Sequence, residues 1–122
     1  MTVVLDASAL LAFLGDEPGA AVVEEALESG AVCSAVNWSE VAQKVRAAGA
    51  DWTVASALLD SYGLVIEPTT REDAERAADR WVRGSGLSLA DRFCLALADR
   101  RELQVLTTDR AWGTEGGVRQ IR

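Results

Sequence analysis

Apolar residues follow two rhythms along this chain. Short unbroken runs, Val3-Val4-Leu5, Ala31-Val32-Cys33, Leu64-Val65-Ile66 and Val105-Leu106, are bounded by turn formers and read as strands buried on both faces. Between them the apolar positions recur at helical spacing. Strand one spans about 2–6 and a short helix runs to Leu14, where Gly15-Asp16-Glu17-Pro18 stops it and opens a helix over about 18–28. Ser29-Gly30 ends that helix, and Ala31-Val32-Cys33-Ser34 is strand two.

Asn37-Trp38-Ser39-Glu40 has the form of a capping box, with Trp38, Val41, Ala42 and Val45 following on one face. Gly49 closes this helix, Asp51 caps the next, and Gly63 stops it after Tyr62. Strand three ends at Pro68. Thr70 and Asp73 make a second capping box before a helix over 71–83. Its expected core stripe is Ala74, Ala77, Ala78, Trp81 and Val82, with Glu72–Arg76 and Asp79–Arg83 as ion pairs on the other face. After the break at Arg83-Gly84-Ser85-Gly86, Ser88-Leu89-Ala90-Asp91 starts a helix with Ala90, Phe93, Cys94, Leu97 and Ala98 on one face. Strand four, a turn at Ala111-Trp112 and an edge strand over 118–121 complete the chain. Strands alternating with helices predict a parallel α/β sheet.

With 122 residues and 49% apolar content, the chain is expected to be one domain, 1–122, with a proper core. It has no apolar run near the ~20 residues of a membrane span and no signal-peptide pattern. The expected location is cytoplasmic, with no membrane partner. Cys33 and Cys94 form no CxxC and read as reduced core thiols. Histidine is absent, which excludes Ser-His-Asp, Cys-His and histidine-paired ribonuclease chemistry. It also leaves zinc without its usual ligands. Any hydrolysis must run on carboxylates with a metal.

The net charge of −7 opposes non-specific nucleic-acid binding. That objection weakens if acids cluster around divalent cations and arginines share a face. Lys44 is the single lysine, so phosphate contact would fall to arginines such as Arg46, Arg92, Arg110 and Arg119.

Four acids stand where a strand ends or a helix begins: Asp6, Glu40, Asp91 and Asp109. Each has a local explanation. Glu40 and Asp91 occupy the fourth position of capping boxes, Asp6 and Asp109 can be N-caps, and Glu40 can pair with Lys44. As a set they read differently, because the carboxyl ends of parallel strands face one way, where ligands bind in open α/β sheets. Carboxylates gathered there repel and raise one another's pKa unless a cation neutralises them. Oxygen-only ligation selects Mg²⁺ or Mn²⁺. Such an ion can activate a water for phosphodiester cleavage. Ser8 and Thr107 or Thr108 are candidate supports, by hydrogen bonds to Asp6 and Asp109, or else simple turn formers.

LDASALLAFL, SAVNWSEV, GLSLADRFCLALA and VLTTDRAW, in that order and at these separations, together resemble the PIN-domain proteins, above all the VapC toxin ribonucleases of bacterial VapBC toxin–antitoxin systems. The resemblance implies a three-layer α/β/α fold with a mostly parallel five-stranded sheet. It also implies Mg²⁺-dependent endonucleolytic cleavage of RNA at an acidic site formed by Asp6, Glu40, Asp91 and Asp109, with Ser8 at the family's hydroxyl position. The implied partners are a small VapB-like antitoxin, an RNA substrate and a second copy in a homodimer. Arg92 and Arg110, each following an acid, are candidate RNA contacts or salt-bridge partners of those acids. Phosphatases of the haloacid dehalogenase type place a second Asp where this chain has Ser8, and they also need a lysine, whereas the only lysine here is Lys44 inside a helix. The remaining alternative is a PIN-fold binding module that holds metal and a protein partner without cutting.

Overall fold

The computed structural model describes all 122 residues. Five strands, β1 (Val3–Leu5), β2 (Ala31–Ser34), β3 (Val65–Glu67), β4 (Val105–Thr107) and β5 (Val118–Gln120), form one sheet in the order β3-β2-β1-β4-β5. Every neighbouring pair is parallel, so the last edge strand joins the common direction. From β1 the chain builds outward through β2 to β3, then returns to add β4 and β5 on the other side. The β1–β4 boundary is therefore the topological switch point, and the crevice beyond its carboxyl ends is where such sheets bind ligands.

The helices are α1 (Ala7–Leu14), α2 (Ala20–Ser29), α3 (Ala35–Ala47), α4 (Trp52–Ser61), α5 (Arg71–Asp79) and α6 (Leu89–Arg101). Side chains alternate across each strand. Val3, Leu5, Cys33 and Leu106 face one way, packing with Leu10, Val23, Leu27, Val41 and Leu59 of α1–α4. Val4, Val32, Val105 and Val118 face the other, against Cys94, Leu95, Leu97 and Ala98 of α6. With α5 packed on α6, the result is the expected three-layer α/β/α arrangement.

Two elements depart from the sequence pattern. The helix expected to open with a box at Asn37–Glu40 begins at Ala35, because Ser34 is already its N-cap, accepting from the Asn37 N–H at 3.1 Å. Strand thus passes into helix without an intervening turn, and Glu40 lies in the second turn rather than in a cap.

The helix expected over 71–83 stops at Asp79. Trp81 and Val82, expected in the core, are 56% and 63% exposed, and Ala74 and Ala78 are exposed too. The inward face is instead Asp73 and Ala77. Arg100 of α6 makes this possible, donating Nε to Asp73 Oδ1 at 2.8 Å and Nη2 to Oδ2 at 3.2 Å. A buried carboxylate with a two-pronged partner replaces the apolar stripe. Glu72–Arg76 forms at 3.0 Å as expected. Asp79–Arg83 does not, and Arg83 lies 5.7 Å over the Trp81 ring.

Burial pushes the Asp73 carboxyl up, but the Arg100 and Thr70 hydrogen bonds and the Arg100 charge outweigh it and hold it below the usual range. Its stabilising contribution is present above the unfolded carboxylate pKa and is lost as pH falls through the folded value. Arg100→Leu removes the charged partner of this carboxylate, which keeps its Thr70 hydrogen bonds, and should cost about 1–3 kcal/mol at neutral pH by urea unfolding. The cost should shrink in acid as Asp73 protonates.

Candidate functional site

Asp6 directly follows β1 and caps α1, its Oδ1 accepting from the Ala9 N–H at 2.8 Å. Ser8 Oγ donates to the same carboxylate at 2.7 Å, and Thr107 Oγ1 donates to Oδ2 at 2.5 Å. Each hydroxyl has one proton to give, and each in turn accepts from the turn after β4. The Thr108 N–H donates to Ser8 Oγ and the Asp109 N–H to Thr107 Oγ1, both at 3.0 Å. The network stitches the two strands of the switch point together around one carboxylate. Ser8 and Thr107 thus support Asp6, whereas Thr108 contributes through its backbone.

Asp6 is 3% exposed. Burial pushes its pKa up to about 6; the Thr107, Ala9 and Ser8 hydrogen bonds pull against this, and the Asp91 charge adds to it.

Asp91, in the first turn of α6, makes a capping box with Ser88, accepting the Ser88 N–H on Oδ2 at 2.9 Å. Its pKa is also raised, by burial against the Ser88 hydrogen bonds and then by the charges on Glu40 and Asp109. Asp109 caps the 3₁₀ turn Arg110–Trp112 through Oδ1, which accepts the Ala111 N–H at 2.9 Å. Glu40 Oε2 lies 3.3 Å from Lys44 Nζ, while Oε1 is buried with no hydrogen-bond partner. The sequence-predicted acids therefore lie within one electrostatic neighbourhood, though each also has a local partner.

The residue that brings Glu40 and Asp91 into that neighbourhood is Asn37, which the sequence pattern marks only as a helix start. Buried, it accepts from Ser34 Oγ at 2.5 Å and donates Nδ2 to the Ala90 carbonyl at 3.2 Å. That bond joins the first turn of α3 to the first turn of α6. An amide three residues before an acid was the only signal for it.

Cys33 and Cys94 lie buried beneath the acids. Burial, then the Asp6 and Glu40 charges, push the Cys33 thiol up to about 12, and burial raises Cys94 as well. Both are protonated, unreactive thiols at neutral pH.

As placed, no three Asp, Glu, Cys or His side chains stand close enough together to hold one ion. Their chemistry nevertheless fits a hard cation. Glu40, Asp91 and Asp109 each engage one carboxylate oxygen with a local partner and leave the other free of one. Glu40 Oε1 is a buried acceptor without a donor, and Asp6 and Asp91 carry pKa values raised by burial and by neighbouring acids. Capping and ligation are compatible here because a carboxylate has two oxygens.

The two arginines that follow acids have different surroundings. Arg92 Nη1 donates to the Ala77 carbonyl at 2.7 Å, tying α6 to the end of α5. Arg110 is exposed and lines a cavity of about 500 Å³ with Ser8, Thr108, Asp109 and Arg122. Of the tryptophans, Trp112 is buried, and Trp38 packs edge-on against Trp52 at 4.8 Å.

Several solved structures share this fold. A chain of a toxin–antitoxin complex from Klebsiella pneumoniae superposes with a TM-score of 0.74 at 22% identity, covering 98% of each chain. VapC20 of Mycobacterium tuberculosis, described as a sarcin–ricin-loop-cleaving toxin, gives 0.67 at 18% identity over 87% of each chain. A chain of DNA-bound VapBC from Salmonella typhimurium gives 0.68 at 15% identity, covering 98% of this chain and 96% of the other. No curated protein sequence matches the chain. The PIN domain family model matches residues 3–113, and the chain belongs to that family.

Proposed function

We propose that the chain is a Mg²⁺- or Mn²⁺-dependent endoribonuclease, the toxin of a toxin–antitoxin pair. The observation that carries this reading is the group of four acids at the carboxyl edge of the β1–β4 switch point, where Asp91 feels the charges on Asp6, Glu40 and Asp109 and burial raises Asp6 to about 6 between the Ser8 and Thr107 hydroxyls. The similar chains, one from a Klebsiella toxin–antitoxin complex, one a Mycobacterium toxin and one from Salmonella VapBC, support the biological setting. A VapB-like antitoxin is accordingly the proposed protein partner, and a homodimer the proposed assembly.

Asp6, Glu40, Asp91 and Asp109 would hold the ion. When bound, it would supply Lewis-acid activation of a water and positive charge against the negative charge building on the phosphoryl and leaving oxygens. The protein's own groups do the rest. Ser8 and Thr107 fix the orientation of Asp6, and Asn37 holds the α3 and α6 acids at a set spacing. The hydroxyl-lined wall of Ser8 and Thr108 offers polar contact to an RNA strand.

The second reading is a PIN-fold module that binds metal and a partner without cutting. Asp6 favours it, since hydrogen bonds already occupy both of its oxygens and would leave the ion to Glu40, Asp91 and Asp109 alone. Incubation with total RNA separates the two readings. Cleavage abolished by EDTA and restored by Mg²⁺ or Mn²⁺ is the expected result. Metal binding without cleavage of any RNA would favour the module.

A further inference from the structure

The acids of this site face a substrate that is itself an anion, in a protein of net charge −7. A counterweight should stand near the acids, and the cavity beside Asp109 contains one. Its lining is Ser8, Thr108, Asp109, Arg110 and Arg122, with no apolar side chain among them. We propose that Arg122, together with Arg110, forms the phosphate-binding arm of the site, seating an RNA phosphate next to the bond that is cut. The proposal rests on the ribonuclease reading and adds to it a residue that no motif of the sequence marked.

The backbone fixes where Arg122 stands. The neighbouring Ile121 donates its N–H to the Thr107 carbonyl at 3.1 Å and is buried in the core. It also lies against Gly19, where an added Cβ would come within 3.0 Å of the Ile121 carbonyl oxygen. One residue earlier, Gln120 Nε2 donates to the Asp109 carbonyl at 2.8 Å and the Gly113 carbonyl at 2.9 Å. The end of β5 is thereby pinned to the turn that carries Asp109. Arg122 thus projects from anchored backbone rather than from a loose tail.

Its guanidinium is available. The one carboxylate beside Arg122 is Glu17, 3.8 Å away, with both side chains about half exposed at 42% and 53%. A long, solvated pair of this kind contributes little, so exchanging it for a phosphate sacrifices little. Arg110 takes part in no ion pair at all. Two planar donor forks on one polar wall match the oxygens of a phosphodiester, which a pair of lysine point charges would not do as well.

The test is binding of a short mixed-sequence single-stranded RNA in EDTA across a range of salt, with cleavage in Mg²⁺ followed separately. Arg122→Ala and Arg110→Ala should each weaken binding several-fold and flatten the dependence of log K on log salt by about 0.7, with the double variant flattening it about twice as much. Arg122→Lys should keep the salt slope while losing part of the affinity. Arg71→Ala, which removes a charge that is 93% exposed and off this wall, should leave the slope unchanged. All five variants should unfold at the wild-type urea midpoint. A double variant with wild-type slope and normal cleavage overturns the proposal and leaves the ribonuclease reading standing. A wild type that neither binds nor cuts RNA overturns both. Loss of binding that tracks a lowered unfolding midpoint, without rescue by Arg122→Lys, would make Arg122 a structural residue and also overturn the proposal.

Discussion

Asp6→Asn should abolish metal-dependent RNA cleavage while the protein stays folded. Asparagine is as good an N-cap as aspartate, so the Ala9 N–H keeps an acceptor. The new amide can donate to Thr107 Oγ1, which already accepts from the Asp109 N–H and has a second lone pair. What disappears is the negative charge at the centre of the site. Losing an outer hydrogen-bond partner of a metal ligand typically costs 10–100-fold, so losing the ligand should cost at least ~100-fold. Thr107→Val tests the outer shell, since it removes the shortest hydrogen bond to Asp6, at 2.5 Å, and should lower cleavage by about 10–100-fold. Initial rates of cleavage at saturating Mg²⁺, with circular dichroism on the same samples, check both. Asp6→Asn at wild-type rate would remove Asp6 from the metal site.

The second large effect is on stability as pH changes. Asp6 has a folded pKa of about 6 against an ordinary value of 3.8. The folded protein therefore binds more protons than the unfolded chain between those values. The contribution of Asp6 is most favourable below pH ~4 and is lost as pH rises through about 6. The roughly two-unit shift corresponds to about 3 kcal/mol lost across that window in metal-free protein. Asp73 runs the other way, gaining as pH rises above its depressed pKa, so the wild-type profile is the sum of opposed slopes. Subtracting the Asp6→Asn profile isolates the Asp6 component. Urea unfolding in EDTA from pH 4 to 7 should show the difference curve falling toward neutral pH for the wild type and levelling above pH ~6. Saturating divalent ion should flatten it, because a bound cation removes the penalty on the ionised carboxylate.

Most of the architecture could be read along the chain because strands and helices carry different apolar periods. The runs at Val3, Ala31 and Val105 became strands in a parallel sheet, and Ser88 and Thr70 are the caps their spacing implied. The misreadings share a cause, a tertiary partner invisible to local pattern. Arg100, which is 27 residues from Asp73, let an acid take the buried face that Trp81 was expected to hold. Ser34 reached forward to Asn37 and started α3 before the supposed box. The acids themselves were legible as positions following strands or opening helices. The supports around them were only partly so. Ser8 lies two residues from Asp6, but Thr107 is 101 residues away. Arg122 reaches the site only through the register of β5, which no motif encodes.

The most direct test of the metal-site claim is the unfolding temperature with and without millimolar Mg²⁺ or Mn²⁺ at neutral pH, for wild type and Asp6→Asn. An ion at ten times its dissociation constant stabilises by about 1.4 kcal/mol. In a domain of this size that raises the midpoint by roughly 4–8 °C. The prediction is such a rise in the wild type and none in Asp6→Asn. No shift in the wild type with either ion would contradict it, leaving Asp6, Asp91 and Asp109 as helix caps and Glu40 as the partner of Lys44.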